Sequence, residues 1–385
     1  MLRRWACLAL FAAKVAFCQT PGQPLAPWTS GVLDIHQIHT GRGNAALLVF
    51  PDGTTMLLDA GAAPAKGGLE TGPQRPDESQ SPAAWIAHYL RQASPHRPST
   101  LDYAVITHYH DDHMGALREL AGLIPLGLLI DRGDDPPPPP FPVVREYLEF
   151  RRQLAGKATI LKAGANQIVQ LRAPAQYPRF EVRNLAANGR VWTGKDSAAV
   201  SRFPSHWRTL PKSRQPNENS FSIALRIRYG RFGYFTGGDL PGVPLDELPA
   251  WHDLETPVAR SAGPVDAAVL NHHGWLDSSN LYFLRTLNPR VIVIPAWHAT
   301  HPDHSVLRRL RSPSWPTPPD LFITSLLDAP RAIFRYLGES FRSTQGHILI
   351  RVAPGGDSYQ VIILDDLQPA LQVKSVHGPY RSRGN

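Results

Sequence analysis

Nine consecutive residues constrain this chain more than any others: Thr107-His108-Tyr109-His110-Asp111-Asp112-His113-Met114-Gly115. Three histidines and two aspartates fall within positions 108–113. The apolar run Leu101–Ile106 before them predicts a buried strand, and Gly115–Leu120 after them predicts the start of a helix. A cluster of this kind therefore belongs to a strand-to-helix turn, where open α/β sheets present their chemistry. Mixed imidazole and carboxylate donors suit zinc, manganese or iron better than calcium, which takes an all-oxygen cage. His108 and His110 can converge on one ion, leaving Asp112 and His113 to approach a second. Without a cation to neutralise the carboxylates and engage the imidazole lone pairs, so many titratable groups at one strand end would be costly.

The stretch His108-x-His110-x-Asp112-His113 resembles the defining His-x-His-x-Asp-His motif of the metallo-β-lactamase fold superfamily, residue by residue. The resemblance implies an α/β fold, an αββα sandwich of two mixed β-sheets flanked by helices. It extends along the chain. Two strands, Val32–Ile38 and Ala45–Phe50, a turn at Pro51-Asp52-Gly53-Thr54 and a strand Thr55–Asp59 predict a β-meander ending in Leu58-Asp59-Ala60-Gly61. The superfamily places an Asp and a Gly there, which casts Asp59 as the acceptor that orients a ligand histidine. A strand ending at Gly237-Gly238-Asp239 matches the superfamily's Gly-Asp element, so Asp239 is the expected bridge between two metals. The strand Val265–Leu270 leads into Asn271-His272-His273-Gly274, where the last second-metal histidine is expected. His273 is favoured for it, and His272 is left to touch substrate. His301, in Trp297-His298-Ala299-Thr300-His301-Pro302, either meets a substrate oxyanion or caps a surface helix; substrate contact is the favoured reading.

In motif order the chain looks most like the metallo-hydrolase domain of competence DNA-uptake channel proteins and related phosphocholine esterases. It departs from them in two places. That branch has Gly-x-Gly-Asp in the first turn, whereas this chain has Gly41-Arg42-Gly43-Asn44. Asn217-Glu218-Asn219-Ser220 occupies the slot of the third first-metal histidine, so Asn219 either supplies an oxygen ligand or leaves the first metal loosely held. Either one or two ions fit, zinc first, with manganese or iron as alternatives.

Composition bears on partners and address. A net charge of +8 over 385 residues favours anionic partners, nucleic acid or other phosphodiesters among them, unless the charge is spread over a solvated surface. Residues 184–215 read as a basic insert in which Arg190, Lys195, Arg202, His206, Arg208, Lys212 and Arg214 alternate with Trp192 and Trp207. That pattern suits a polyanion with stackable groups or, equally, a solvated loop pinned by two tryptophans. Arg3 and Arg4 before an apolar run to Phe17 predict a cleaved signal segment over residues 1–18 and hence export, with acylation of Cys18 as a weaker alternative. Cys7 and Cys18 are the only cysteines, which excludes thiolate ligands and cysteine nucleophiles from the mature chain. No later stretch reads as transmembrane, and the oligomeric state is not legible. The expected organisation is a signal segment 1–18, a Pro-rich lead-in 19–30, a metallo-β-lactamase-like domain 31–372 and a basic disordered tail 373–385.

The resulting expectation is an exported metal-dependent hydrolase in which a metal-activated water attacks phosphodiester bonds. Asp112 would orient the nucleophile, and His272 or His301 would stabilise the oxyanion. An esterase or lactam hydrolase is the alternative within the fold, and a non-catalytic metal-bearing polyanion binder is the alternative outside enzymes.

Overall fold

A computed structural model describes residues 19–64, 70–96, 99–313, 315, 317–335 and 341–384. The expected signal segment and both cysteines lie outside them. The strands are β1 Leu33–Gln37, β2 Ala45–Val49, β3 Thr55–Ala60, β4 Leu101–Val105, β5 Leu126–Asp131, β6 Ala158–Ile160, β7 Phe180–Ala187, β8 Arg190–Trp192 and β9 Ala199–Ser201. They continue as β10 Ala224–Tyr229, β11 Phe232–Thr236, β12 Ala267–Val269, β13 Val291–Ile294, β14 Asp320–Ile323, β15 Phe341–Ser343, β16 His347–Val352, β17 Ser358–Leu364 and β18 Val373–Arg381.

Two nine-stranded mixed sheets result, in the orders β18-β17-β16-β1-β2-β3-β4-β5-β6 and β15-β14-β13-β12-β11-β10-β7-β8-β9. Strand pairing is parallel along β3 to β6 and along β11 to β15, and antiparallel elsewhere. Period-two alternation sends Leu48, Met56, Leu58, Leu225, Ile227, Val293 and Ile350 into the layer between the sheets. Leu47, Val49, Leu57, Ala224, Ile292, Ile294 and Leu349, next to them in sequence, belong to the helix-side clusters. Helices Pro82–Ala93, Leu117–Leu123 and Pro142–Gln153 cover the first sheet with Ile86, Leu90, Leu120 and Tyr147. Helices Glu255–Ala262, Leu281–Leu287 and His304–Leu310 cover the second with Val258, Phe283 and Leu307. This is the αββα sandwich that the resemblance implies.

Three expectations are corrected. The tail is not disordered: Val373–Arg381 is a strand that pairs antiparallel with β17. Val373 and Tyr380 are buried there, and the Tyr380 hydroxyl donates to Asp320 at 2.8 Å. Its basic side chains, Lys374 and Arg381, point outward, so their charge says nothing about order. The lead-in is tied to the same edge, with Gly22 N–H donating to the Val373 carbonyl and Leu25 N–H to the Leu371 carbonyl. The domain therefore runs past both expected boundaries. The 184–215 stretch is not a loop insert either. It begins in β7 and forms the antiparallel edge β8–β9. Trp207 packs against Phe203 and Phe221, while the seven basic side chains stay exposed. Among the described residues, no helix is long and apolar enough to cross a membrane.

Candidate metal centre

The centre lies where strands of both sheets end on a shared rim. His108 and Tyr109 follow β4, Asp239 follows β11, His272 and His273 follow β12, and Trp297 to His301 follow β13. The helical turn Asp111–Met114 starts within the motif itself, earlier than the sequence suggests, and presents Asp112 and His113 from its first turn. Two glycines let backbone approach this turn closely. A Cβ on Gly61 would sit 2.0 Å from the Asp112 carbonyl oxygen, and one on Gly43 would sit 2.3 Å from it. Asn44 N–H donates to that same carbonyl at 2.8 Å. His272 and His273 both adopt left-handed backbone, at φ 47° and 53°, which is unfavourable for a branch-bearing residue. The two rings leave the turn in different directions, with planes 58° apart.

Two groups of side chains converge. Asp112, His113, Asp239 and His273 each offer an atom within 4.8 Å of the others, and so do His108, His110 and Asp239. Asp239 belongs to both. Asp59 is fully buried beneath them and accepts from Thr107 N–H (2.8 Å), Thr107 Oγ1–H (2.9 Å) and Asn44 Nδ2–H (2.9 Å). Its Oδ2 also lies 2.7 Å from His113 Nδ1.

The hydrogen bonds fix which ring nitrogens face the centre. His113 Nδ1–H is committed to Asp59, and His273 Nδ1–H to the Pro295 carbonyl at 2.9 Å. Thr107 Oγ1 spends its proton on Asp59, so at 3.2 Å it accepts from His108 Nδ1–H. With the proton of each neutral ring on Nδ1, it is Nε2 that each of the three turns toward the centre. His113 Nε2 and His273 Nε2 stand 3.3 Å apart, with Asp239 Oδ1 3.1 Å from the first and Asp112 Oδ2 3.1 Å from the second. His108 Nε2 lies 3.1 Å from His110 Nδ1 and 3.6 Å from Asp239 Oδ2. Carboxylates and imidazole nitrogens crowded in a buried space need cations among them, protons or metal ions, and this donor set fits divalent transition metals.

The electrostatics agree. Burial pushes His108 well below the ordinary imidazole range, and the neighbouring His113 adds to it. Burial acts the same way on His113, but Asp239, Asp112 and Asp59 outweigh it and hold that ring well above its usual value. Burial would raise Asp112 and Asp239, yet the surrounding imidazoles hold both below the carboxylate range. Metal uptake must then expel the proton that His113 retains without a metal.

The other expected residues sit at the rim. His272 Nδ1 lies 2.7 Å from Asp277, and its Nε2 faces Asp239 Oδ2 at 3.7 Å and Asn219 Nδ2 at 3.3 Å. Burial lowers the His272 pKa, but Asp239 and Asp277 overcome it and lift the value to about 9. Asn219 Oδ1 is buried with no donor among the described residues. His301 stacks on His273 with ring centres 4.7 Å apart, and burial and that neighbour push it well below the ordinary range. A cavity of about 460 Å³ opens over this floor, lined by Asp112, His272, His273, Trp275, Trp297 and His301.

Several contributors carry no signal in the sequence. Glu218 Oε1 accepts from the N–H of Tyr109, between the two first-group histidines, at 2.8 Å. Its two oxygens also hold Arg132 at 2.7 Å each. Arg132 is in turn sandwiched between the rings of Tyr109 and Phe221. This buried assembly braces the metal turn against the Asn217–Ser220 segment. Only the topology shows that these residues meet.

Residues 39–181 match the metallo-beta-lactamase superfamily. No curated protein matches the sequence. Among solved structures, a Parabacteroides distasonis protein described as a metal-dependent hydrolase is 13% identical with a TM-score of 0.40, covering 76% of this chain and 92% of its own. CmlA, a diiron beta-hydroxylase from Streptomyces venezuelae, is 13% identical with a TM-score of 0.39, covering 85% of this chain and 55% of its own. Human tRNase Z, short form, is 11% identical with a TM-score of 0.36, covering 68% of this chain and 91% of its own. The His-x-His-x-Asp-His turn lies inside the matched segment, so this part of the chain is similar to the metallo-beta-lactamase superfamily, and the two mixed sheets have the arrangement of that fold.

Proposed function

We propose that this protein is an exported metal-dependent hydrolase acting on phosphodiester bonds, nucleic acid among the candidate substrates. One observation supports the metal-dependent reading: the Nε2 atoms of three buried histidines converge with the carboxylates of Asp112 and Asp239, the donor set of a divalent transition metal. In this reading His108 and His110 would hold a first ion and Asp112, His113 and His273 a second, with Asp239 within reach of both groups. Asp59 fixes the His113 tautomer, and Asn219, whose Oδ1 is buried and unmet, would offer an oxygen to the first ion.

Bound zinc, or manganese or iron, would supply Lewis acidity and a water of lowered pKa at neutral pH. The chain's own residues do the rest. Asp112, held ionised at the cavity wall, orients the attacking nucleophile. His272, kept protonated by Asp277 and Asp239, and His301, which lines the same cavity, donate to charge that develops on the substrate oxygen. A cationic His272 favours an anionic substrate group, as does the exposed basic row from Arg190 to Arg214. The order of motifs, like that of competence-channel metallo-hydrolase domains, supports the same choice.

The test is a paired assay on one metal-loaded preparation: bis-p-nitrophenyl phosphate against p-nitrophenyl acetate, with metal content measured alongside. Phosphodiester turnover that His110→Ala abolishes without unfolding is the expected result. Ester turnover alone would move the substrate class. DNA binding with steep salt dependence and no turnover of either substrate would make the protein a binder.

A further inference from the structure

The loop of residues 271–280 brings His273 into the metal centre and holds the His272–Asp277 pair beside it. Its backbone is unfavourable at both ends. His272 and His273 are left-handed at φ 47° and 53°, and Ser279 is left-handed at φ 58°. Residues that carry a Cβ resist that conformation, so the surrounding structure must hold them in it. One buried side chain reaches both ends. Glu255, at the start of helix Glu255–Ala262, is 0% exposed. Its Oε1 accepts from Asn271 Nδ2–H at 2.7 Å and from Ser279 N–H at 2.6 Å, and its Oε2 accepts from Asn280 N–H at 2.7 Å. Glu255 thus grips the residue before His272 and the two residues that close the loop. Arg309, from helix His304–Leu310, secures the closing end by donating to the Ser278 and Ser279 carbonyls at 2.7 and 2.9 Å. A Cβ on Gly242 would overlap Oε2, so the carboxyl needs a glycine beside it. Neither converging group of donor atoms includes Glu255.

We propose that Glu255 is a positioning residue: its carboxyl clamps both ends of the 271–280 loop and so fixes where His273 and the His272–Asp277 pair stand relative to Asp112 and Asp239. A carboxyl suits the task because both of its oxygens accept. An amide of the same shape has one acceptor and would turn its NH₂ group against a loop N–H. Burial pushes the carboxyl up to about 8, with the nearby Asp253 adding to it and the three donors pulling it down. The clamp does not depend on which charge state prevails, since a protonated carboxyl keeps acceptor capacity. The inference rests on the metal centre of the proposed function and not on any substrate.

Zinc affinity, measured by chelator competition, and the visible spectrum of the cobalt-substituted full chain test the clamp. In Glu255→Gln zinc affinity should fall on the order of tenfold, the scale on which a metal site weakens when a supporting hydrogen bond is lost. The cobalt d–d bands should shift as His273 moves. Val258→Ala is the control: it opens a cavity on the buried face of the same helix without touching the loop's hydrogen bonds. It should lower the urea midpoint and leave affinity and spectrum as in wild type. Zinc affinity within twofold of wild type, or an unchanged cobalt spectrum, in a folded Glu255→Gln overturns the proposal. So does a Val258→Ala that shows the same losses, because general loosening would then suffice. Should Glu255→Gln fail to fold, Asn271→Ala withdraws one of the three donors and leaves both backbone bonds. A severalfold loss of zinc affinity is then expected, and wild-type affinity overturns the proposal. A wild-type chain that binds no zinc overturns the metal centre and this inference together, whereas tight zinc binding shared by wild type and Glu255→Gln overturns the clamp alone.

Discussion

Replacing Asp59 by Asn tests the hydrogen-bond logic of the centre without touching a residue that reaches the cavity. Oδ1 of Asp59 serves one donor, the Thr107 N–H, while Oδ2 serves Thr107 Oγ1–H, Asn44 Nδ2–H and His113 Nδ1–H. An amide must set its NH₂ group against one of these two sets. The cheaper choice gives up the single bond at Oδ1, leaving the Thr107 N–H unmet at a cost of about 1–3 kcal/mol of stability. It also removes the charge opposite His113, so the imidazole becomes a weaker ligand. Loss of such a supporting carboxylate lowers metal affinity by roughly 10–100-fold, or about 1.4–2.7 kcal/mol. Zinc competition against a chromophoric chelator, with urea unfolding of the metal-free protein, measures the two effects separately. If Asp59→Asn binds zinc within twofold of wild type, the claim that this carboxylate fixes His113 is refuted.

Gly61→Ala should cost roughly 1–3 kcal/mol and reduce bound metal, because its Cβ would press on the Asp112 carbonyl from 2.0 Å; thermal unfolding and metal analysis report both. The buried pair Asp34–Arg351 joins β1 to β16 through bonds of 2.9 and 2.7 Å. Burial would raise the Asp34 pKa, but Arg351 and His36 hold it at about 2 against an ordinary 3.8. The folded-state pKa is the lower one, so this stability is complete above pH 3.8 and is lost as pH falls through about 2; it is worth on the order of 2 kcal/mol. Arg351→Met should cost about 3–5 kcal/mol near neutrality by stranding a buried carboxylate. In urea titrations the gap between variant and wild type should narrow as pH falls from about 4 to about 2, and a constant gap would exclude the pairing as its source.

What could be read in the sequence was whatever is local. His108 to His113 announce themselves within six positions, and Asp59, Asp239 and His273 each end a recognisable strand beside a glycine or an alanine-glycine pair. Residues whose roles depend on which strand ends meet were silent. Thr107, Asn44, Glu218 and Trp297 look like ordinary turn or strand-end residues until the two sheets bring them to one rim. Short elements failed for a different reason. Strands β8 and β9 have three residues each, too few for alternation to show against seven basic side chains. In Val373–Arg381 the burial alternation is broken by Gly378-Pro379 and masked by charge, so a sheet strand read as a disordered tail.

The order of strands in the first sheet has a bearing on biosynthesis. β1 lies between β2 and β16, so Leu33 finds its neighbour Val352 only after the whole second sheet has been made. A nascent chain leaving the ribosome can assemble β1 through β6, but the apolar strand Leu33–Gln37 then offers a row of unpaired amides until the last stretch emerges. That interval is when self-association through this strand would compete with folding, so a chaperone or a translocation machinery that keeps the strand covered should raise the yield of native protein.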